Sequence, residues 1–473
     1  MVHHEAAVVG FYSRLYHSHE PLYDCADGCY CGTTLSSYHE ETPMMLRLLA
    51  VVMVLSTASV HAQQFYNPLA VDVTRGLVKD LFSTNAVDYV QPMVTSVNAT
   101  SNARFFNQAY VPTKVDRPYF RFGIHGMMGV IPEADKTFKP SFNLGEPSQS
   151  LFADVSQYGT FDVINRRFAI KPTYQDTLGL TQLLLREALI EAQKQGRFPL
   201  PDEAATLFGN RPDVRVNLPS TATLLEVIRN REDYKALVAL GGSSIDSSLA
   251  SLVDSLSLPG SLTMPPGANM STLVAAVPQL EIGSLFGTEM LIRFVPPVEF
   301  DPNVGKFSFY GLGLKHSLSQ YLGDTTVHLA VQGVYQHTSL TNTVGVTNSQ
   351  LSAVADIWNA NIHASKRLFG FLDVFAGVGY QHIDVVSTYT YVLPQEVQIG
   401  LGLLPEPPSP GLPSIPTPEQ PGDDRPQQSI VNVGNTNINA VFGACAQIGP
   451  IRVFADYNLS QFSIFSGGIE LCF

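Results

Sequence analysis

From about residue 288 to the end, apolar and polar residues alternate with period two. That spacing predicts strands whose two faces meet unlike surroundings. In the last segment Phe465, Gly467, Ile469, Leu471 and Phe473 share one face; Ile464, Ser466, Gly468, Glu470 and Cys472 share the other. In IRVFADYNLS, Ile451, Val453, Ala455, Tyr457 and Leu459 oppose Arg452, Phe454, Asp456 and Asn458. Upstream, Trp358, Ala360, Ile362 and Ala364 oppose Asn359, Asn361, His363 and Ser365. Met290, Ile292 and Phe294 likewise oppose Glu289 and Arg293. The predicted strands cover about residues 117–131, 278–286, 288–297, 305–317, 324–338, 352–366, 369–391, 429–448, 450–460 and 462–473. Each is at least as long as the roughly 9–11 residues that a tilted strand needs to cross a bilayer.

Connections sharpen this picture. Those at Gly287, Arg367–Phe369 and Gly449–Pro450 are tight, while those at 298–304, 339–351 and 392–428 are longer. Alternation of short turns and long loops suits a membrane barrel better than a soluble sandwich. The join near Ser460–Gln461 departs from it. The expected fold is all-β: an antiparallel transmembrane β-barrel of about 10–14 strands over residues 117–473. Residues 132–277 form an insertion in which TQLLLREALIEAQKQ and TLLEVIRNREDYKALVAL read as amphipathic helices. GTFDVINRRF within it could add strands to the barrel. Residues 63–116 read as a partly helical segment, periplasmic or plugging the barrel, with Leu77, Leu81 and Val87 near one face. The Pro-rich stretch within 392–428 reads as a mobile surface loop, since proline at that density forbids a ladder.

Residues 44–62 have the make-up of a secretory signal peptide: Arg47, then Leu48 to Leu55 as an apolar core, then a cut expected between Ala62 and Gln63. It starts well inside the chain, so residues 1–43 read as a mis-annotated upstream extension. Elsewhere no run of about 18 apolar residues suggests a spanning helix. The net charge of −13 excludes a nucleic-acid partner. Cys25, Cys29 and Cys31 lack the distal pair that a zinc site needs, so neither a metal nor a cofactor is expected.

Candidate chemistry sits on the lumen-facing parity: Glu289, Arg293, Lys315, Asn359, Asn361, His363, Asp373, Arg452, Asp456 and Glu470. Mixed charges in a narrow barrel either pair into a sealing core or line a path for a solute. Cys445 and Cys472 fall on the same parity, two strands apart, too far for a disulfide, so free thiols are expected. Enzyme signatures such as G-x-S-x-G and H-E-x-x-H are missing. His316 with Ser317, or His382 with Asp384, stands without a defining context. No enzyme is expected.

The segments IGSLFGTEMLIRFVP, KFSFYGLGLKHSLSQYL and HLAVQGVYQ, with YVQPMV and GVIPEADKTF, resemble an uncharacterised family of outer-membrane barrels from Gram-negative bacteria. The layout is loosely similar to the long-chain fatty-acid transporter class. Ser466, Gly468, Leu471 and Phe473 resemble the C-terminal signal read by the barrel-assembly machinery. The resemblance implies the cell outer membrane as location, with lipid and that machinery as partners. The expected function is passive transport of a small hydrophobic or amphipathic solute. The alternative is a non-conducting barrel that displays its insertion for adhesion or surface contact, and an outer-membrane enzyme is a third, weaker reading.

Overall fold

The computed structural model describes residues 66–473 other than 302–304, 324, 345–348 and 410–411. The leader, its cut at Ala62–Gln63, the upstream extension and the first three cysteines lie outside the described residues.

Ten antiparallel strands close into a barrel. They are β1 (Tyr119–Val130), β2 (Thr272–Leu285), β3 (Thr288–Asp301), β4 (Gly305–Ser317), β5 (His328–Val344), β6 (Ser349–Leu368), β7 (Leu372–Tyr391), β8 (Gln427–Ile448), β9 (Ile451–Leu459) and β10 (Ile464–Cys472). Neighbours in sequence pair around the ring, and β1 closes it against β10. The main-chain N–H of Phe473 donates to the Phe120 carbonyl at 2.8 Å, and Phe120 returns the bond at 3.2 Å.

The strands differ in places from the sequence reading. Residues 272–277 pair with β1, so the insertion runs 131–271. The ladder of β5 and β6 continues to Val344 and Ser349, so most of the expected loop 339–351 is strand. Val344 and Ser349 can pair because a hairpin tip holds its strands in register however far it projects. GTFDVINRRF folds on itself as a ribbon, Gly159–Asp162 against Arg167–Ile170, outside the barrel.

The wall is uneven. Strands β6 to β8 are 20, 20 and 22 residues long, whereas β9 and β10 have nine each. About 9–11 tilted residues cross a bilayer, so the long strands stand well beyond one end. That end also carries the insertion, the 392–426 segment and residues 460–463. We call it the outer end. The other end carries the turns at 286–287, 318–327, 369–371 and 449–450, and residues Tyr119 and Phe473.

Against the inner face of the tall wall lies helix α1 (Pro68–Ser101). Asn67 caps it, its Oδ1 accepting from the Leu69 N–H at 3.0 Å, and Pro68 follows where no donor is needed. Phe82 meets the rings of Tyr389 and Tyr391 at 5.6 and 4.2 Å. Insertion helices α2 (Leu151–Tyr158), α3 (Tyr174–Lys194), α4 (Thr221–Asn230), α5 (Glu232–Gly241) and α6 (Ser243–Ser255) share one apolar core with α1 and the wall. Packed on several sides, α1 has no single apolar stripe. Leu77 and Leu81 are buried, but Val87 is exposed, contrary to the face expected for it. The helix expected over 223–240 is broken at Arg231, whose extended backbone lets its guanidinium reach Asp233 and the buried Glu187.

The Pro-rich segment is docked rather than free. Leu393, the short helix α7 (Gln395–Gly400) and Leu401 to Leu404 bury apolar side chains. Its far end is held where Arg75 of α1 donates to Asp423. A buried guanidinium needs such a partner, which fixes the loop at both ends.

Candidate functional site in the barrel lumen

Strand parity puts all ten lumen candidates on the inner face, and all are buried. What they meet is the chain's own amino-terminal segment. After α1 the chain turns at Asn102 to Arg104, where Arg104 has a φ of 66°, and residues 105–113 descend the lumen without helix or strand. Ala103, Phe105, Phe106 and Ala109 are fully enclosed. The segment leaves at the end opposite α1, where the Ser284 hydroxyl donates to the Pro112 carbonyl and Thr113 meets Gln320 at 3.3 Å.

Arg104 is the hub. Its Nη1 donates to the Phe106 carbonyl at 2.7 Å and to Asp456 Oδ2 at 3.2 Å. Its Nε donates to His125 Nδ1 at 3.2 Å, and its guanidinium lies 3.9 Å above the Phe454 ring. Arg452 holds Glu470 at 3.2 Å, and Ser466 donates to Asp456. Nearer the turn end, Glu289 is met by Arg121 at 2.9 Å, by Lys315 and by the Tyr119 hydroxyl at 2.6 Å. Asn107 joins this second set, donating to Oε1 of Glu281, which Arg121 also holds, at 2.7 Å and accepting from Lys315 at 2.6 Å. Asp373 lies apart from these, at the rim, paired with Arg367.

Across the lumen the lining is uncharged. Asn361 donates to Asn359 at 2.8 Å and accepts from His363 Nδ1 at 3.0 Å. Ser365 accepts from the Ala109 N–H at 2.8 Å. Phe106 packs edge-on against His363. Toward the outer end, a cavity lined by Phe82, Tyr89, Leu351 and Tyr389 measures only about 20 Å³, room for a water and not for a solute.

The wall itself has a seam. β2 and β3 pair from Leu285–Thr288 up to Gln279–Arg293. Above that level Thr272–Pro278 pairs with β1, and Phe294–Asp301 pairs with β4. Pro278 on one side and Pro296 and Pro297 on the other have no N–H to offer a ladder. Behind the seam, Val277, Val295, Phe309, Met127, Phe208 and Ala103 form a separate apolar cluster. At its foot sits Arg293, stacked 4.0 Å over Phe105. Its hydrogen bonds go to uncharged oxygens: Gln279 Oε1 at 2.8 Å and the carbonyls of Ser101, Ala103 and Arg104.

The outer face is the reverse of the inner one. Phe122, Ile124, Leu312, Leu314, Ile362, Val378, Ile438, Val453 and Ile469 are exposed there. A polar row crosses this face where His337, Asp356 and Asp384 stand opposite one another on β5, β6 and β7. Tyr310 stands level with His337, and Tyr335, Trp358 and Tyr380 lie below the row. Within this row His382 meets Asp384 at 3.0 Å and Thr436 at 2.7 Å. Asp384 is 70% exposed, too hydrated to hold a catalytic imidazole in one orientation. His316 and Ser317 point to opposite faces, as strand neighbours must, so they do not meet.

Sequence reasoning missed Arg104, Asn107, Arg121, His125 and Glu281. Arg121 and His125 alternate with Phe120, Phe122 and Ile124, and Glu281 with Leu280 and Ile282, so the same parity argument reaches them. Arg104 and Asn107 lie in aperiodic chain that offers no such signal. Cys445 and Cys472 are free thiols.

Among solved structures, the translocator domain of the autotransporter NalP from Neisseria meningitidis is similar over 43% of this chain and 72% of that one, at 11% identity and a TM-score of 0.18. No curated protein matches the chain. Residues 42–473 match a family of unknown function (DUF6588), and with nearly its whole length covered the chain belongs to that family.

Proposed function

We propose that the chain is an outer-membrane β-barrel, sealed at rest, that passes a small hydrophobic or amphipathic solute. The carrying observation is its inverted polarity, with charges paired inside and an apolar belt outside. On β6 the belt lies between Asp356 and Lys366, ten positions apart. That is about 33 Å of strand, or about 25 Å of height at a tilt of about 40°, close to the lipid-facing band of such barrels. Lipid is then the partner of the belt, and the aromatic row below Asp356 sits at the interface. The barrel-assembly machinery is the partner of Ser466, Gly468, Leu471 and Phe473.

The solute class follows from the seam. An apolar cluster behind a gap in the ladder suits an alkyl chain. Arg293 at its foot suits a polar or anionic head, which would compete with the carbonyls of Ser101, Ala103 and Arg104. Head binding would thereby loosen the sealing segment. The reading includes no catalysis.

The test is a tether. In a chain lacking Cys445 and Cys472, the pair A109C and S365C joins the segment to β6. Liposome uptake of an alkyl carboxylate should stop on oxidation and return on reduction. Uptake indifferent to the tether would defeat the gate. Passage of nothing under either condition would leave the second reading, a display barrel.

A further inference from the structure

The lumen crossing changes the parity of the chain. Ten strands alone would return β1's start and the C-terminus to one side, and they do: Tyr119 and Phe473 share the turn end. The segment 102–113 adds one more crossing before β1. The start of α1 is therefore at the outer end, as its contacts show. Asn67 Nδ2 donates to the Ser255 carbonyl at 2.7 Å, in the insertion. Asp72 accepts from the Tyr174 hydroxyl at 2.7 Å, also in the insertion. Arg75 binds Asp423 and Asp424 in the Pro-rich segment.

We infer that the barrel carries helix α1 to the cell surface, so that Asn67 and Pro68 at its start stand outside while Phe473 stays in the periplasm. This rests on the outer-membrane reading for which side is which. The threading itself rests only on the chain path. A folded helix is about 10–12 Å across. Around Arg104 and Phe106 the lumen encloses one non-helical chain whose side chains are wholly buried. α1 therefore crosses unfolded, or the β1–β10 pairing closes around the segment once it is in place. Export and assembly are then one event, and the ion pairs of Arg104 lock the product.

Cutting at Ala62–Gln63 would leave five residues, 63–67, ahead of Pro68. A surface-held start of α1 is a point from which further chain or a partner could be presented without disturbing the wall.

The experiment uses the full chain in cells, with one epitope inserted at three places in turn. The sites are between Gln64 and Phe65, between Glu406 and Pro407, and between Asp116 and Arg117. Heat-modifiable gel mobility confirms a closed barrel in each. Antibody should reach the first two tags in intact cells at full signal, and the third only after permeabilisation. A silent first tag beside a reachable Glu406 tag overturns the threading and spares the outer-membrane reading. A reachable Asp116 tag with the other two silent overturns the orientation. Three tags silent until permeabilisation overturn surface display and the outer-membrane reading together.

Discussion

Arg104 is wholly buried, and its guanidinium meets Asp456, Glu470 at 3.8 Å, the Phe106 carbonyl and the Phe454 ring. Removing one partner of such a group strands the others. Arg104→Ala should therefore lower stability by about 3–5 kcal/mol, read as a lower urea midpoint in liposomes. Arg229 pairs with Asp246 in the insertion with both side chains more than a third exposed. Arg229→Ala should cost under about 1 kcal/mol, because water already screens that pair. Equal midpoints for the two variants would show that the lumen pairs hold nothing. The inner face of each of these strands was readable from alternation alone. The partner of Arg104 was not, because an ion pair between residues 352 positions apart exists only after the barrel closes.

At the scale of the strand, the two faces obey opposite rules. Leu312 is exposed near the middle of β4, on the apolar side. Leu312→Arg should destabilise the bilayer-embedded barrel by about 2–4 kcal/mol. The same change in a soluble barrel would be nearly free, so a loss below about 0.5 kcal/mol would argue against lipid at this face. Phe473 acts through pairing. It exchanges two main-chain bonds with Phe120 across the closing seam. Its deletion should cut the yield of heat-modifiable barrel and leave the behaviour of assembled molecules unchanged. Altered solute selectivity with full assembly would give Phe473 some other role. The seam between β2 and β3 is the element least visible beforehand. Pro278, Pro296 and Pro297 are plain as ladder breakers, but only the register puts them on adjacent strands just above the last pair, Gln279 and Arg293.

Over the whole molecule the seal is buried electrostatics. Salt screens exposed charges over about 8–10 Å at ordinary ionic strength and reaches buried pairs far less. Planar-bilayer conductance should therefore stay closed between about 0.1 M and 1 M salt, the latter having a Debye length of about 3 Å. Opening at high salt would mean that the lumen pairs are wet. By itself the sequence determined the barrel class, a count of about 10–14 strands and the side each strand residue faces, because a strand's side chains alternate strictly and the two faces of the wall carry opposite chemistry. Strand ends were less sharp, since a projecting hairpin such as Val344–Ser349 keeps pairing without any apolar signal. Only the tertiary structure decided that residues 102–113 thread the lumen, that α1 stands at the outer end and that Arg293 binds the sealing segment. Those facts depend on closure around an aperiodic segment, and its contacts lie with strands far along the chain.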